Sequence, residues 1–123
     1  MGCKLTEIIV DCQDPGLVAG FWADVLGWPM TVDDDGDCWL TSMSDRSAPE
    51  PRLLFLAVPE PKSGKNRIHL DVNPSGCDQD EELERLLALG ARRVDVGQKD
   101  VAWVVIADPE GNEFCLLRTR MDD

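Results

Sequence analysis

The chain contains no apolar run long enough to cross a membrane, and its opening residues, Met1-Gly2-Cys3-Lys4-Leu5-Thr6-Glu7, lack the apolar stretch of a signal peptide. These absences predict a cytoplasmic protein with no membrane partner. Basic residues are scarce, 12 Lys and Arg against 24 Asp and Glu, for a net charge of -12. That balance argues against sequence-independent nucleic-acid binding, which needs cations to neutralise phosphates, and describes a solvated, self-repelling surface instead. The five cysteines, Cys3, Cys12, Cys38, Cys77 and Cys115, form no C-x-x-C pair and no zinc-ligand spacing. An odd and scattered set predicts reduced thiols. Histidine occurs once, at His69.

What is present suits a single domain over residues 1–123, since 43% hydrophobic content at this length can bury most of the unfolded chain's surface. The most informative stretch is Asn66-Arg67-Ile68-His69-Leu70-Asp71-Val72. Its strict alternation predicts a strand with Ile68, Leu70 and Val72 facing a core and Arg67, His69 and Asp71 facing the other way. A cation, an imidazole and a carboxylate in one row are costly to bury unless they pair or line a wet cavity. The row therefore predicts a pocket wall.

Along the chain, Leu5 to Cys12 reads as a strand with Ile8, Val10 and Cys12 on one face and Glu7, Ile9 and Asp11 on the other. Asp14-Pro15 opens a helix whose stripe is Leu17, Val18, Phe21, Trp22, Val25 and Leu26, and Gly27 closes it. Short strands are expected over Trp28 to Val32, Cys38 to Met43 and Leu53 to Val58, with a loop over Ser44 to Arg52. The run Asp33-Asp34-Asp35-Gly36-Asp37 reads as a turn, because it lacks the ligand spacing and downstream glutamate of a calcium loop. Pro59 to Lys65 marks an internal boundary, separating a module over about 1–60 from one over about 65–120.

After Val72 the order repeats. Asp78 with Glu81 resembles a capping box, Leu83, Leu86 and Leu87 give a helical stripe ended by Gly90, and Val94 to Val96, Val101 to Ala107 and Glu113 to Leu117 supply strands. Asp108-Pro109-Glu110-Gly111 is turn chemistry. The pattern is a duplicated βαβββ module. Each sheet alone leaves a face uncovered, so the expected α+β architecture is a curved mixed sheet around a cleft with helices outside.

The motifs Asp11-Cys12-Gln13-Asp14-Pro15, Phe21-Trp22-Ala23-Asp24-Val25-Leu26-Gly27-Trp28, Asn66-Arg67-Ile68-His69-Leu70-Asp71, Leu89-Gly90-Ala91 and Asp108-Pro109-Glu110-Gly111-Asn112-Glu113-Phe114-Cys115 resemble the vicinal oxygen chelate superfamily. That superfamily includes glyoxalase I, bleomycin-resistance proteins and extradiol dioxygenases, and the nearest likeness is to its glyoxalase-like domains with an N-R-x-H-L-D strand. The resemblance implies a homodimer and four cleft positions that hold a metal ion in the metal-dependent members. By the resemblance these fall on Glu7, on Arg67, near Phe55 and on Cys115. Arginine is no ligand and phenylalanine offers no donor, so the expectation is a protein without the usual metal cofactor.

The expected function is binding of a small molecule in a cleft walled by Trp39 and Trp103, with Glu7, Asp11, Arg67, His69, Asp71 and Cys115 contacting its polar groups. The alternative is a lyase, isomerase or dioxygenase in which His69 is general base or metal ligand and Asp71 orients it. In that reading Glu7, Asp11, His69, Asp71 and Cys115 rebuild a site for a divalent metal. A third class is an accessory domain that pairs with a partner chain.

Overall fold

A computed structural model describes residues 1–43 and 48–122. The loop expected over Ser44 to Arg52 therefore falls partly outside the described residues. Among the described residues no helix is long and apolar enough to cross a membrane. The chain divides into two compact units, Met1–Pro61 and Lys62–Asp123.

The first unit runs β1 (Glu7–Cys12), α1 (Pro15–Leu26), β2 (Met30–Val32), β3 (Cys38–Leu40) and β4 (Arg52–Ala57). Asp14 caps α1 by accepting from the Leu17 amide at 3.2 Å, Pro15 sits where its missing N–H costs nothing, and Gly27 stops the helix at φ +69°. The strands form one sheet in the order β1-β4-β3-β2, with β1 and β4 parallel and the other pairs antiparallel. Val10 pairs with Phe55 and Phe55 with Cys38, so these side chains share a face with Cys12, Leu53 and Leu40. That face is the core, packed with Val18, Phe21, Trp22 and Val25 of α1. Burial of each large apolar side chain there contributes roughly 1.5–3 kcal/mol.

Phe55 is fully buried on this face, which corrects its implied place at a cleft position. The parallel register gives the opposite face of β4 to Arg52, Leu54 and Leu56, beside Glu7, Ile9 and Asp11 of β1. Parity alone places the phenylalanine with the core.

The second unit repeats the order with β5 (Asp71–Val72), α2 (Gln79–Leu89), β6 (Arg92–Arg93), β7 (Val104–Ala107) and β8 (Glu113–Leu116). Its sheet order is β5-β8-β7-β6, again with the first pair parallel. Asp78 caps α2 by accepting from the Glu81 amide at 2.9 Å, and Asp80, Glu81 and Glu82 in the first turn suit the helix dipole. Leu83, Leu86, Ile106, Phe114 and Leu116 are its buried apolar set. The fold is thus a two-module α+β architecture of two helices and two four-stranded mixed sheets.

Several strands differ from expectation: Val101 to Ala107 is strand only from Val104, and Cys38 to Met43 only as far as Leu40. The stretch from Asn66 is sheet only at Asp71–Val72, and Ile68, expected in the core, is 82% exposed. The chain bends at Arg67 and Ile68. Before Leu70, whose carbonyl accepts from Cys115 at 3.0 Å, the backbone has no ladder to join, because the Glu113 side chain takes the Asn66 amide at 3.0 Å instead. Likewise, Val94 to Val96 is not a strand; β6 ends at Arg93. The Gln98 amide group claims the Val94 carbonyl at 3.0 Å and the Val96 amide at 2.8 Å, groups a continuing strand would need.

Candidate functional site

The alternation of β7 and β8 decides which side chains meet. Asp71 and Val105 both pair with Cys115 in register, so all three lie on the sheet face opposite Ile106 and Phe114. On that face a cavity of about 260 Å³ is lined by His69, Asp71, Cys115, Trp103 and Val105, and also by Lys65 and Asn66. Apolar groups dominate the wall, with polar groups at one end, which is the usual chemistry of a small-molecule pocket.

At the polar end His69 Nε2 lies 3.2 Å from Asp71 Oδ1, with both side chains about half exposed. One ligating atom each from His69, Asp71 and Cys115 falls within 4.8 Å of the others. Burial pushes the Cys115 thiol up, and the Asp71 charge and hydrogen bond push it further; the Lys65 charge opposes them. Cys115 is therefore a neutral thiol at pH 7 that donates to Asp71, and a poor nucleophile. Asp71 thus holds His69 on one side and Cys115 on the other. A carboxylate that fixes an imidazole is the arrangement a general base or a ligand histidine needs.

The remaining candidates are placed differently. Arg67 is exposed and does not line the cavity. The bend at Arg67 and Ile68 breaks the alternation that would have carried it inward, so His69 rather than Arg67 stands beside Cys115. Glu7, Asp11 and Trp39 belong to the first unit. There Arg52 stacks on the Trp39 ring at 4.3 Å and pairs with Glu7, while Asp11 is exposed. The Asp33 carboxylate accepts from the amides of Asp35 and Asp37 at 2.9 and 3.0 Å, as turn chemistry requires.

Glu113, Lys62 and Gln79 were not legible as site residues. Glu113 shares the cavity face with Cys115 two residues on, and that parity is the signal that could have found it. Its carboxylate accepts from Lys62 Nζ at 2.8 Å and the Asn66 amide at 3.0 Å, tying the segment that carries Lys65 and Asn66 to β8. Gln79 Nε2 donates to the Ala102 carbonyl at 2.9 Å and the Leu116 carbonyl at 3.1 Å, fixing the backbone just before Trp103.

Burial alone would raise the Glu113 carboxyl, but the Lys62 and Asn66 hydrogen bonds and the Lys62 charge outweigh it and hold the group below its usual range. A carboxyl depressed in the folded state contributes stability that is present above the unfolded glutamate value and is lost as pH falls through the folded one. Glu113→Gln is accordingly expected to cost about 1.5–3 kcal/mol at neutral pH. The deficit should shrink as acid unfolding curves are taken below about pH 4.3. A deficit that stays constant with pH would contradict the ion-pair account.

The sequence pattern of the glyoxalase-like domain matches residues 7–117. The chain belongs to the glyoxalase-like domain family. No curated protein matches this glyoxalase-like chain in sequence. Among solved structures it is similar to the genomically encoded fosfomycin resistance protein FosX of Listeria monocytogenes, at 14% identity and TM-score 0.70, covering 97% of this chain and 94% of that one. A variant of that FosX, complexed with Mn(II) and a dihydroxypropylphosphonic acid, gives TM-score 0.72 at 14% identity, covering 95% and 90%. A glyoxalase/bleomycin resistance protein/dioxygenase family enzyme of Burkholderia phytofirmans PsJN gives 0.66 at 17%, covering 93% and 97%. These likenesses place the fold in the vicinal oxygen chelate superfamily.

Proposed function

We propose that this glyoxalase-like chain binds a small oxygenated molecule in the second-unit cavity. The observation that carries the reading is the cavity itself, an apolar wall with Trp103 on one side and the His69, Asp71 and Cys115 group at its polar end. Its volume of about 260 Å³ lies a little below the range of ordinary ligand pockets, which starts at roughly 300 Å³, so the ligand is small. Trp103 supplies a flat face for stacking, and the imidazole supplies the directional polar contact. A small-molecule library screened by thermal shift is expected to yield stabilising compounds, since a ligand that binds only the folded state raises its stability by mass action. A library that moves the unfolding temperature for no compound would remove the reading.

A second reading has its own observation. Imidazole, carboxylate and thiol donors within 4.8 Å of one another fit a divalent ion, and the sulfur favours zinc over manganese. His69, Asp71 and Cys115 would hold the ion, which would polarise an oxygen of the ligand and turn a binding protein into a lyase, isomerase or dioxygenase. The resident protons set the terms, since Cys115 must give up its proton and Asp71 must turn from its present hydrogen bonds. Elemental analysis of tag-free protein purified without chelator is expected to give close to one zinc per chain, and none for His69→Ala. Protein that carries no metal and takes up none from added zinc, manganese or iron would dismiss this reading and leave the first intact.

A further inference from the structure

We infer that the ligand of this cavity is an anion, a carboxylate borne on a flat apolar body, and that Lys65 is the residue that selects it. The inference rests on the pocket reading above and deepens it by naming the ligand's chemical class. It follows from which polar groups around the cavity are already committed.

Both carboxylates on the cavity face already have partners within the protein, and Asp71 keeps its negative charge. Glu113 accepts from Lys62 and from the Asn66 amide, and Asp71 is engaged by His69 and by the Cys115 thiol. The donors are not spent. Lys65 and Asn66 both line the cavity; among the described residues Lys65 has no ion-pair partner and the Asn66 side chain has no hydrogen-bond partner. The Lys65 charge opposes the upward push on the Cys115 thiol. An ammonium with three N–H groups and an amide with two, on adjacent residues that line the cavity, call for an acceptor-rich, negatively charged group. The rest of the wall is apolar and includes the Trp103 ring, which calls for a flat hydrocarbon body.

The surrounding field sharpens the point. With a net charge of -12 the molecule as a whole repels anions. An anion would be held here only by a local cation that the protein's own carboxylates leave unpaired. Lys62 is the contrasting case, since its ammonium is committed to Glu113 at 2.8 Å, and that ion pair is what holds the segment bearing Lys65 in place.

The test uses three probes of one shape and different charge, cinnamate, cinnamamide and cinnamylamine, titrated into the full chain and followed by amide chemical shifts at fixed ionic strength. Cinnamate is expected to bind about ten-fold more tightly than cinnamamide, the size of one charge-assisted hydrogen bond, with cinnamylamine weakest. Lys65→Met should bring the acid down to the level of the amide; the residue is exposed, so its replacement does not threaten the fold. Equal binding of acid and amide, tightest binding of the amine, or a preference that persists in Lys65→Met would overturn the anion assignment while leaving the cavity as a binding site. Binding of none of the three at millimolar concentration would overturn the flat-carboxylate assignment, while the thermal-shift library decides the pocket reading.

Discussion

Trp103→Ala is expected to weaken binding of a small-molecule ligand by about 30-fold, or roughly 2 kcal/mol, the cost typical of truncating a central aromatic anchor. Trp103 precedes β7 by one residue, faces the cavity beside Val105, and keeps 43% of its surface exposed. A ring so placed makes its main apolar contacts when a ligand covers it. Removing it leaves no enclosed void, so the loss of folding stability should stay within about 1 kcal/mol. Calorimetric titration of a compound found by thermal shift, paired with urea unfolding of the same variant, separates the two quantities. An unchanged dissociation constant would mean that the ligand does not use this wall, and a large stability loss would mean that Trp103 is a core residue rather than a ligand contact.

Phe55→Ala should behave in the opposite way. Phe55 is fully buried at the middle of β4, flanked in register by Val10 and Cys38 and packed on the face that α1 covers. Alanine there removes the ring's transfer energy and leaves a cavity that strands pinned on both sides cannot close. The expected cost is about 3–5 kcal/mol, against a total stability of about 5–15 kcal/mol for an ordinary domain. In urea the midpoint should fall while the slope stays near that of the wild type. Such a loss is incompatible with a cleft-facing side chain, because a phenylalanine lining an open cleft would cost little to remove. A change within about 0.5 kcal/mol would restore the cleft position that the resemblance implied for it.

The contrast between these two rings shows where sequence reading holds and where it stops. Both sit in apolar, strand-like stretches. Trp103 lines the cavity although it lies in a bend just before β7, where strand alternation does not extend. Phe55 is misplaced because the resemblance brings it only near a cleft position, and in a strand one residue exchanges the two faces. Only the pairing of Val10 with Phe55 in the parallel ladder decides the matter.

The site follows the same division. Alternation and the rarity of histidine lead to the expectation of His69, Asp71 and Cys115 at a pocket, and the three line the second-unit cavity together with Trp103. Arg67 is legible in the same way and yet stands outside, because alternation holds only while the chain stays extended and the bend at Arg67 and Ile68 ends it. Glu113 and Gln79 carry no local sign of their roles. Their partners, Lys62, Asn66 and Ala102, lie tens of residues away, and no periodicity links them.

The sequence by itself determined the duplicated order of elements, the helix ends and the turns, because caps, prolines and apolar stripes act over three or four residues and are written contiguously. Asp14 with Leu17 and Asp78 with Glu81 each close a contact of that reach. The tertiary structure alone decided which carboxylates are spent and which cations remain unpaired, since each such pair is a choice among many possible long-range partners. The extent of the Asn66 to Val72 strand belongs to that second kind. Its alternation favours sheet throughout, yet the Glu113 carboxylate competes for the Asn66 amide, and a charged acceptor makes a stronger hydrogen bond than a neutral backbone carbonyl.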